Sequence, residues 1–118
     1  MVCSGNDYYE SYDGVLYDKG MKTLIRYPSD KKDKSFVIPD SVVKISKYAF
    51  YCCTYLKSVT ISNSVKEVGV WAFNDCESLC SVTIPSDGTI IERWAFSDCD
   101  SLNENSRKRI LSLNSDAL

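Results

Sequence analysis

Six cysteines and no histidine bound the chemistry open to this 118-residue chain. Without an imidazole, acid–base work and metal ligation would fall to cysteine, carboxylates, lysine and tyrosine. The cysteines are Cys3, Cys52, Cys53, Cys76, Cys80 and Cys99. None forms the Cys-x-x-Cys pair of a zinc site, so neither a metal nor a cofactor is expected. Cys53, Cys76 and Cys99 recur at a shift of 23 residues, which opens two readings: a disulfide framework, or buried small residues filling one stripe of core. Equivalent residues on stacked coils have parallel Cβ vectors, and three in a column cannot all pair, so free buried thiols are preferred. Cys52 and Cys80 lie off the column, and Cys3 sits in a polar, Tyr-rich N-terminal stretch with Tyr8, Tyr9 and Tyr12.

A second constellation is aromatic. Tyr48, Trp71 and Trp94 each stand directly before an Ala-Phe pair, with Lys47 and Arg93 flanking two of them. One reading has these rings covering a junction between strand and turn; the other makes them an exposed binding stripe, suited to a protein partner or to stacking on sugar rings. Tyr48, Trp71, Trp94, Lys47 and Arg93 are therefore the candidate binding residues. Asp75, Glu77, Asp98 and Asp100 make an acidic strip without the oxygen-rich loop spacing of a calcium site, and it reads as solvated surface. No nucleophile elbow, phosphate-binding glycine loop or paired acid–base spacing occurs, so no catalytic residue is expected and the chain reads as a non-enzyme.

The elements that must position these columns come from one repeat. Ala49-Phe50, Ala72-Phe73 and Ala95-Phe96 form one column at the 23-residue period; Leu56, Leu79 and Leu102 form another, and Ile38, Ile61 and Ile84 a third. A unit of that length cannot bury its apolar face alone and must stack on its neighbours, which predicts a short α/β solenoid with parallel strands. Val59-x-Ile61 and Val82-x-Ile84 alternate with small polar residues, giving strands buried on one face. Phe50, Cys53 and Leu56, three apart, fit a short helical turn against them. Phe50, Phe73 and Phe96, with Cys53, Cys76 and Cys99, are expected to form the inner spine.

Three segments follow: an N-terminal arm and hairpin cap over 1–35, repeats over 36–102, and a helical cap over 103–118. The hairpin is read from Val15-Leu16-Tyr17 and Leu24-Ile25-Arg26-Tyr27 around Gly20, with residues 1–13 as a loose arm or a partial cap. The helix is read from the amphipathic stretch after Asn105, with Asn105 or Ser106 as N-cap. A net charge of −2 and a pI near 5.1 leave no basic footprint for nucleic acid. No apolar run is long enough to span a membrane, and the first residues lack the apolar core of an export signal.

On these residues the chain resembles the BspA-like leucine-rich repeat family, whose units run as an Ile-Pro turn, an apolar pair, Ala-Phe, Cys, Leu and then Val-x-Ile. The resemblance covers about residues 36–102, with departures at Ser62, Gly88 and Asn105, and Leu24-Ile25-Arg26-Tyr27-Pro28 resembles the family's lead-in. It implies a right-handed leucine-rich stack in a cell-surface or secreted protein, acting in adhesion or protein–protein interaction and carrying no catalytic residues. A carbohydrate-binding module working through Tyr48, Trp71 and Trp94, or a structural spacer in a longer surface protein, are the alternatives.

Overall fold

The chain enters its fold through an antiparallel meander: β1 (Tyr9–Tyr12), β2 (Val15–Asp18) and β3 (Thr23–Arg26). A computed structural model provides the coordinates, and residues 9–118 are described; Cys3 and Tyr8 lie outside the described residues. The expected hairpin is the β2–β3 pair. Of the two alternatives for the N-terminal stretch, a loose arm or a partial cap, the loose arm does not hold for residues 9–12, which pair with β2. Asp13 (φ 52°) and Gly14 (φ 80°) supply the two left-handed residues of a tight hairpin turn, and that Asp-Gly signal outweighs the polar composition of β1. Across the next turn, Asp18 Oδ1 accepts from the backbone N–H groups of Lys22 and Thr23, both at 2.8 Å.

From here the chain alternates two kinds of short strand. β4 (Ser35–Val37), β6 (Ser58–Thr60) and β8 (Ser81–Thr83) form a three-stranded parallel sheet. β5 (Lys44–Ile45), β7 (Glu67–Val68) and β9 (Ile90–Ile91) continue the meander into a second sheet of order β1-β2-β3-β5-β7-β9. The pairing Ser35↔Ser58↔Ser81 is the 23-residue period made visible as register. The second apolar pair of each repeat (Val42 with Ile45, Val65 with Val68) is fully buried, and in the third copy Thr89 and Ile91 take its place. Gly88 removes the valine there, and Thr89 compensates by donating its hydroxyl to Val65 C=O at 2.9 Å. Ser62, in the proline column, is held by Ser64 and by Pro39 C=O.

Between the sheets runs the aromatic spine. Phe50, Phe73 and Phe96 are fully buried and stack face to face with centroids 4.4 and 4.7 Å apart. Burial of each ring is worth about 2–3 kcal/mol. Tyr27, 23 residues before Phe50, adds a fourth ring at 5.0 Å.

The Ala-Phe segment is not the helical turn expected from its spacing. It is a run of reverse turns, such as Ser46–Ala49 and Tyr48–Tyr51, interrupted by left-handed residues at Tyr48, Cys52, Trp71, Asp75, Trp94 and Asp98. A left-handed residue in each turn breaks the helical path. The freed amides reach across coils instead: Phe50 N–H donates to Ala72 C=O, Phe73 N–H to Ala95 C=O and Phe96 N–H to Ala117 C=O.

A ten-residue helix, α1 (Glu104–Leu113), closes the far end. Its N-cap is Asn103, not Asn105 or Ser106: Asn103 Oδ1 accepts from Ser106 N–H at 2.8 Å. Ser106 Oγ is committed elsewhere, accepting from Val82 N–H at 2.9 Å and facing Val82 C=O. Arg109 Nε donates to Ile84 C=O, Asn114 Nδ2 to Ile91 C=O, and Asp116 C=O accepts from Trp94 N–H. Both sheets and the turn layer are thus met at this end by hydrogen-bonding partners.

Candidate functional site

Because Ala49, Ala72 and Ala95 point inward, the residue before each one must project outward, and the backbone adopts φ of 62°, 57° and 59° at Tyr48, Trp71 and Trp94 to do so. Bulky residues rarely occupy that region. Here neighbouring coils hold it three times over, and the result is a ladder of rings. Tyr48 and Trp71 stack at 5.4 Å, as do Trp71 and Trp94, with interplanar angles of 24° and 17°. Lys47 Nζ lies 5.7 Å from the Tyr48 ring centroid and the Arg93 guanidinium 5.4 Å from that of Trp94, both within cation–π reach. The structure therefore brings all five candidate residues together on one edge. Tyr48 and Trp71 are half-buried, whereas Trp94 is 42% exposed.

The facing arrangement limits what the ladder can do. Each internal ring face is covered by the next ring, so a ligand meets ring edges and the two flanking cations along most of the column. At the open end, Trp94 helps to line a depression of about 360 Å³ with Phe96, Asp98, Asp100, Arg107 and Leu118. Arg107 belongs to a basic run that the sequence gives no reason to separate from ordinary helix surface; only the docking of α1 brings it to Trp94.

The thiol column is built differently. Cys76 Sγ and Cys99 Sγ donate to Phe50 C=O and Phe73 C=O at 3.0 and 2.9 Å, and Cys53 Sγ to Tyr27 C=O at 3.6 Å. Contacts with Cys53 and then Cys99, together with burial, push the Cys76 thiol far above its ordinary range. It stays protonated and tied to the preceding coil. Cys52, Cys53, Cys76, Cys80 and Cys99 are all free thiols. Off the column, Cys80 Sγ donates to Lys57 C=O. Asp75 and Asp98 occupy left-handed turn positions, which Asp tolerates better than most residues. Among the described residues, no group of three or more cysteines and carboxylates is arranged to hold a metal ion. No described helix is long and apolar enough to cross a membrane.

The stacked coils, the thiol column and the Ala-Phe turns define a leucine-rich repeat protein, and the family model for the BspA type leucine rich repeat region matches residues 29–117 with six copies. The chain belongs to that family. Its fold is similar to the pneumococcal vaccine antigen PcpA, with 34% identity and a TM-score of 0.80 over 84% of this chain and 24% of that one. It is also similar to a leucine rich cell surface protein of Faecalibacterium prausnitzii A2-165, with 37% identity and a TM-score of 0.72 over 82% of this chain and 26% of that one. A leucine-rich repeat protein of Bacteroides capillosus aligns at 27% identity and a TM-score of 0.72, covering 81% of this chain and 79% of its own. The chain spans about a quarter of the length of the first two. No curated protein sequence matches it significantly.

Proposed function

We propose that the chain is a non-enzymatic, protein-binding module of a cell-surface or secreted protein, acting in adhesion through the edge of the Tyr48–Trp71–Trp94 ladder. The observation that carries this reading is the ladder itself: three large rings held outward by left-handed backbone and flanked by Lys47 and Arg93. Trp, Tyr and Arg are enriched at interface hot spots, the aromatic rings because they bring large contact area at low entropic cost. The Ser and Thr of β6 and β8 offer no comparable anchors. Similarity to a vaccine antigen and to a cell surface protein supports an extracellular setting.

The test is binding to an array of purified secreted and cell-surface proteins. The Trp71→Ala, Trp94→Ala double variant is expected to lose at least tenfold in affinity with unchanged circular dichroism, and Lys47→Glu with Arg93→Glu to weaken binding further. Undiminished binding by the double variant refutes the reading. A glycan partner is served by one feature only, the depression at Trp94, where an aromatic ring, two carboxylates and Arg107 converge. Sugar binding there would depend on Trp94 and Arg107 and be indifferent to Tyr48.

A further inference from the structure

In the Ala-Phe layer each coil borrows an acceptor from the next. Cys52 N–H donates to Asn74 C=O at 2.9 Å, and one period on Asp75 N–H donates to Ser97 C=O at 3.0 Å. Asp98 is the third member of that column and keeps its left-handed backbone (φ 60°), but there the series stops. The terminal segment stands in for a further coil at Trp94 and Phe96, whose N–H groups reach Asp116 and Ala117 C=O; among the described residues nothing accepts from Asp98 N–H. Backbone donors seek an acceptor wherever one can reach them. The depression of about 360 Å³ beside Trp94 is lined by this same Asp98. Its charges are uncommitted as well. Asp98, Asp100 and Arg107 all line it and are exposed, and the side chain of none of them forms an ion pair or hydrogen bond among the described residues. Both signs of charge thus border one small depression without neutralising each other, next to the exposed part of Trp94 and to Leu118, which packs on the core.

We propose that this depression binds a small zwitterion of the α-amino acid class, a free amino acid with an apolar side chain. Its carboxylate supplies the acceptor that the series lacks, taking Asp98 N–H and the Arg107 guanidinium, while its ammonium meets the carboxylates of Asp98 and Asp100. Its side chain rests against Trp94 and Leu118. Charge selects this class over its neighbours. A simple carboxylate is repelled by the two aspartates, a simple amine is repelled by Arg107, and a neutral sugar leaves the guanidinium without a counter-charge. Only a ligand that carries both signs close together is attracted by every group. The volume sits at the lower end of the range of about 300–1,000 Å³ found for small-molecule sites, which suits a ligand of this size. All three charged groups are exposed and screened by solvent, so the affinity is expected to be about millimolar. This inference goes beyond the adhesion reading and does not rest on it: Tyr48 and Lys47, at the far end of the ladder, take no part.

An amide-detected NMR titration of the isotope-labelled chain is the test, with L-phenylalanine, its amide, its N-acetyl derivative and methyl glucoside as probes. Phenylalanine is expected to shift the Asp98 amide resonance to saturation. The two derivatives each lack one of its charges and should bind about tenfold more weakly. Matched variants then read the two charge contacts separately. Arg107→Gln should abolish the preference for phenylalanine over its amide, and Asp98→Asn with Asp100→Asn should abolish the preference over the N-acetyl derivative. Asparagine tolerates the left-handed backbone at position 98, so circular dichroism should not change. Tyr48→Ala should leave the titration as it was, so that a failure of protein binding at the ladder and a failure here are told apart. An Asp98 amide that stays still up to the solubility limit of phenylalanine overturns the proposal. So does equal binding of phenylalanine and its two derivatives, or a preference that survives the matched variants. Tighter binding of methyl glucoside than of phenylalanine overturns it in favour of a glycan.

Discussion

Tyr27→Phe should stabilise this protein, although it deletes a hydroxyl from the core. Tyr27 is fully buried, stacks on Phe50 at 5.0 Å and meets Phe36 edge-on at 5.0 Å, yet its hydroxyl oxygen has no hydrogen-bond partner among the described residues. An unpaired buried hydroxyl costs about 1–3 kcal/mol. Phenylalanine keeps both ring contacts and matches the residue used in the next three coils. The void left by one oxygen, at about 24 cal/mol per Å³, returns only a few tenths of a kcal/mol. The net gain is about 1 kcal/mol, and for a chain of this length that corresponds to about 4 °C in melting temperature. Thermal and urea melts at neutral pH read it, with an unchanged urea slope showing that the same transition is being compared.

The pH dependence gives a second readout for the same substitution. Burial, followed by the charge of Asp33, raises the Tyr27 pKa above its ordinary value, so the folded state holds the phenol neutral. Stability from that neutral form is complete below the ordinary tyrosine pKa near 10 and is lost as the pH climbs toward the folded value. The phenylalanine variant has no such loss, so its advantage should widen in alkali. A variant destabilised by more than about 0.5 kcal/mol, or a difference that stays flat with pH, would show that the hydroxyl is satisfied in the folded state.

Other substitutions probe other contacts. Phe73→Ala, which removes the ring between Phe50 and Phe96, should cost about 3–5 kcal/mol, and a melt shifted by less than a degree or two would mean the spine contributes little. Gly69→Ala should be unusually damaging for a turn residue, because a Cβ there would lie 2.7 Å from Lys47 N and 3.0 Å from Ile45 O; a denaturation midpoint within error of the parent would contradict that packing. Partial burial, then hydrogen bonding and repulsion from Glu67, raise the Glu92 pKa against the pull of Lys44. The stability tied to protonated Glu92 is present at low pH and lost as the pH rises through its folded pKa, so Glu92→Gln should raise the melting temperature at neutral pH and lose that advantage in acid.

The columns of Phe, Ala, Cys, Leu and Ile made the stack legible from residue types alone, because a spine of identical side chains can only arise from identical surroundings. Where one residue does two jobs, the reading failed. Ser106 looked like an N-cap, but its hydroxyl serves Val82 and the cap falls to Asn103. Tyr48, Trp71 and Trp94 were legible as a column, whereas nothing in their propensities announces a left-handed backbone; that is imposed by the reverse turns around them. Asp13-Gly14 was a readable turn signal overshadowed by polar neighbours. The depression at Trp94 arises from how the end of the stack meets the remaining chain, and no local pattern encodes it.

The hydrogen bonds from the terminal segment to the last coil fall almost entirely on that coil's main chain: Ser106 to Val82, Arg109 to Ile84, Asn114 to Ile91, Asp116 to Trp94 and Ala117 to Phe96, with the exposed Arg109–Asp87 pair as the exception. The lid reads the coil in two ways, by gripping its peptide groups and by packing the buried Ile110 and Ala117, with Leu113 and Leu118 beside them, against the apolar core. Residues 103–118 should therefore transplant onto any coil of the same backbone path that offers the same apolar interior, and units could be gained or lost upstream without the lid having to change.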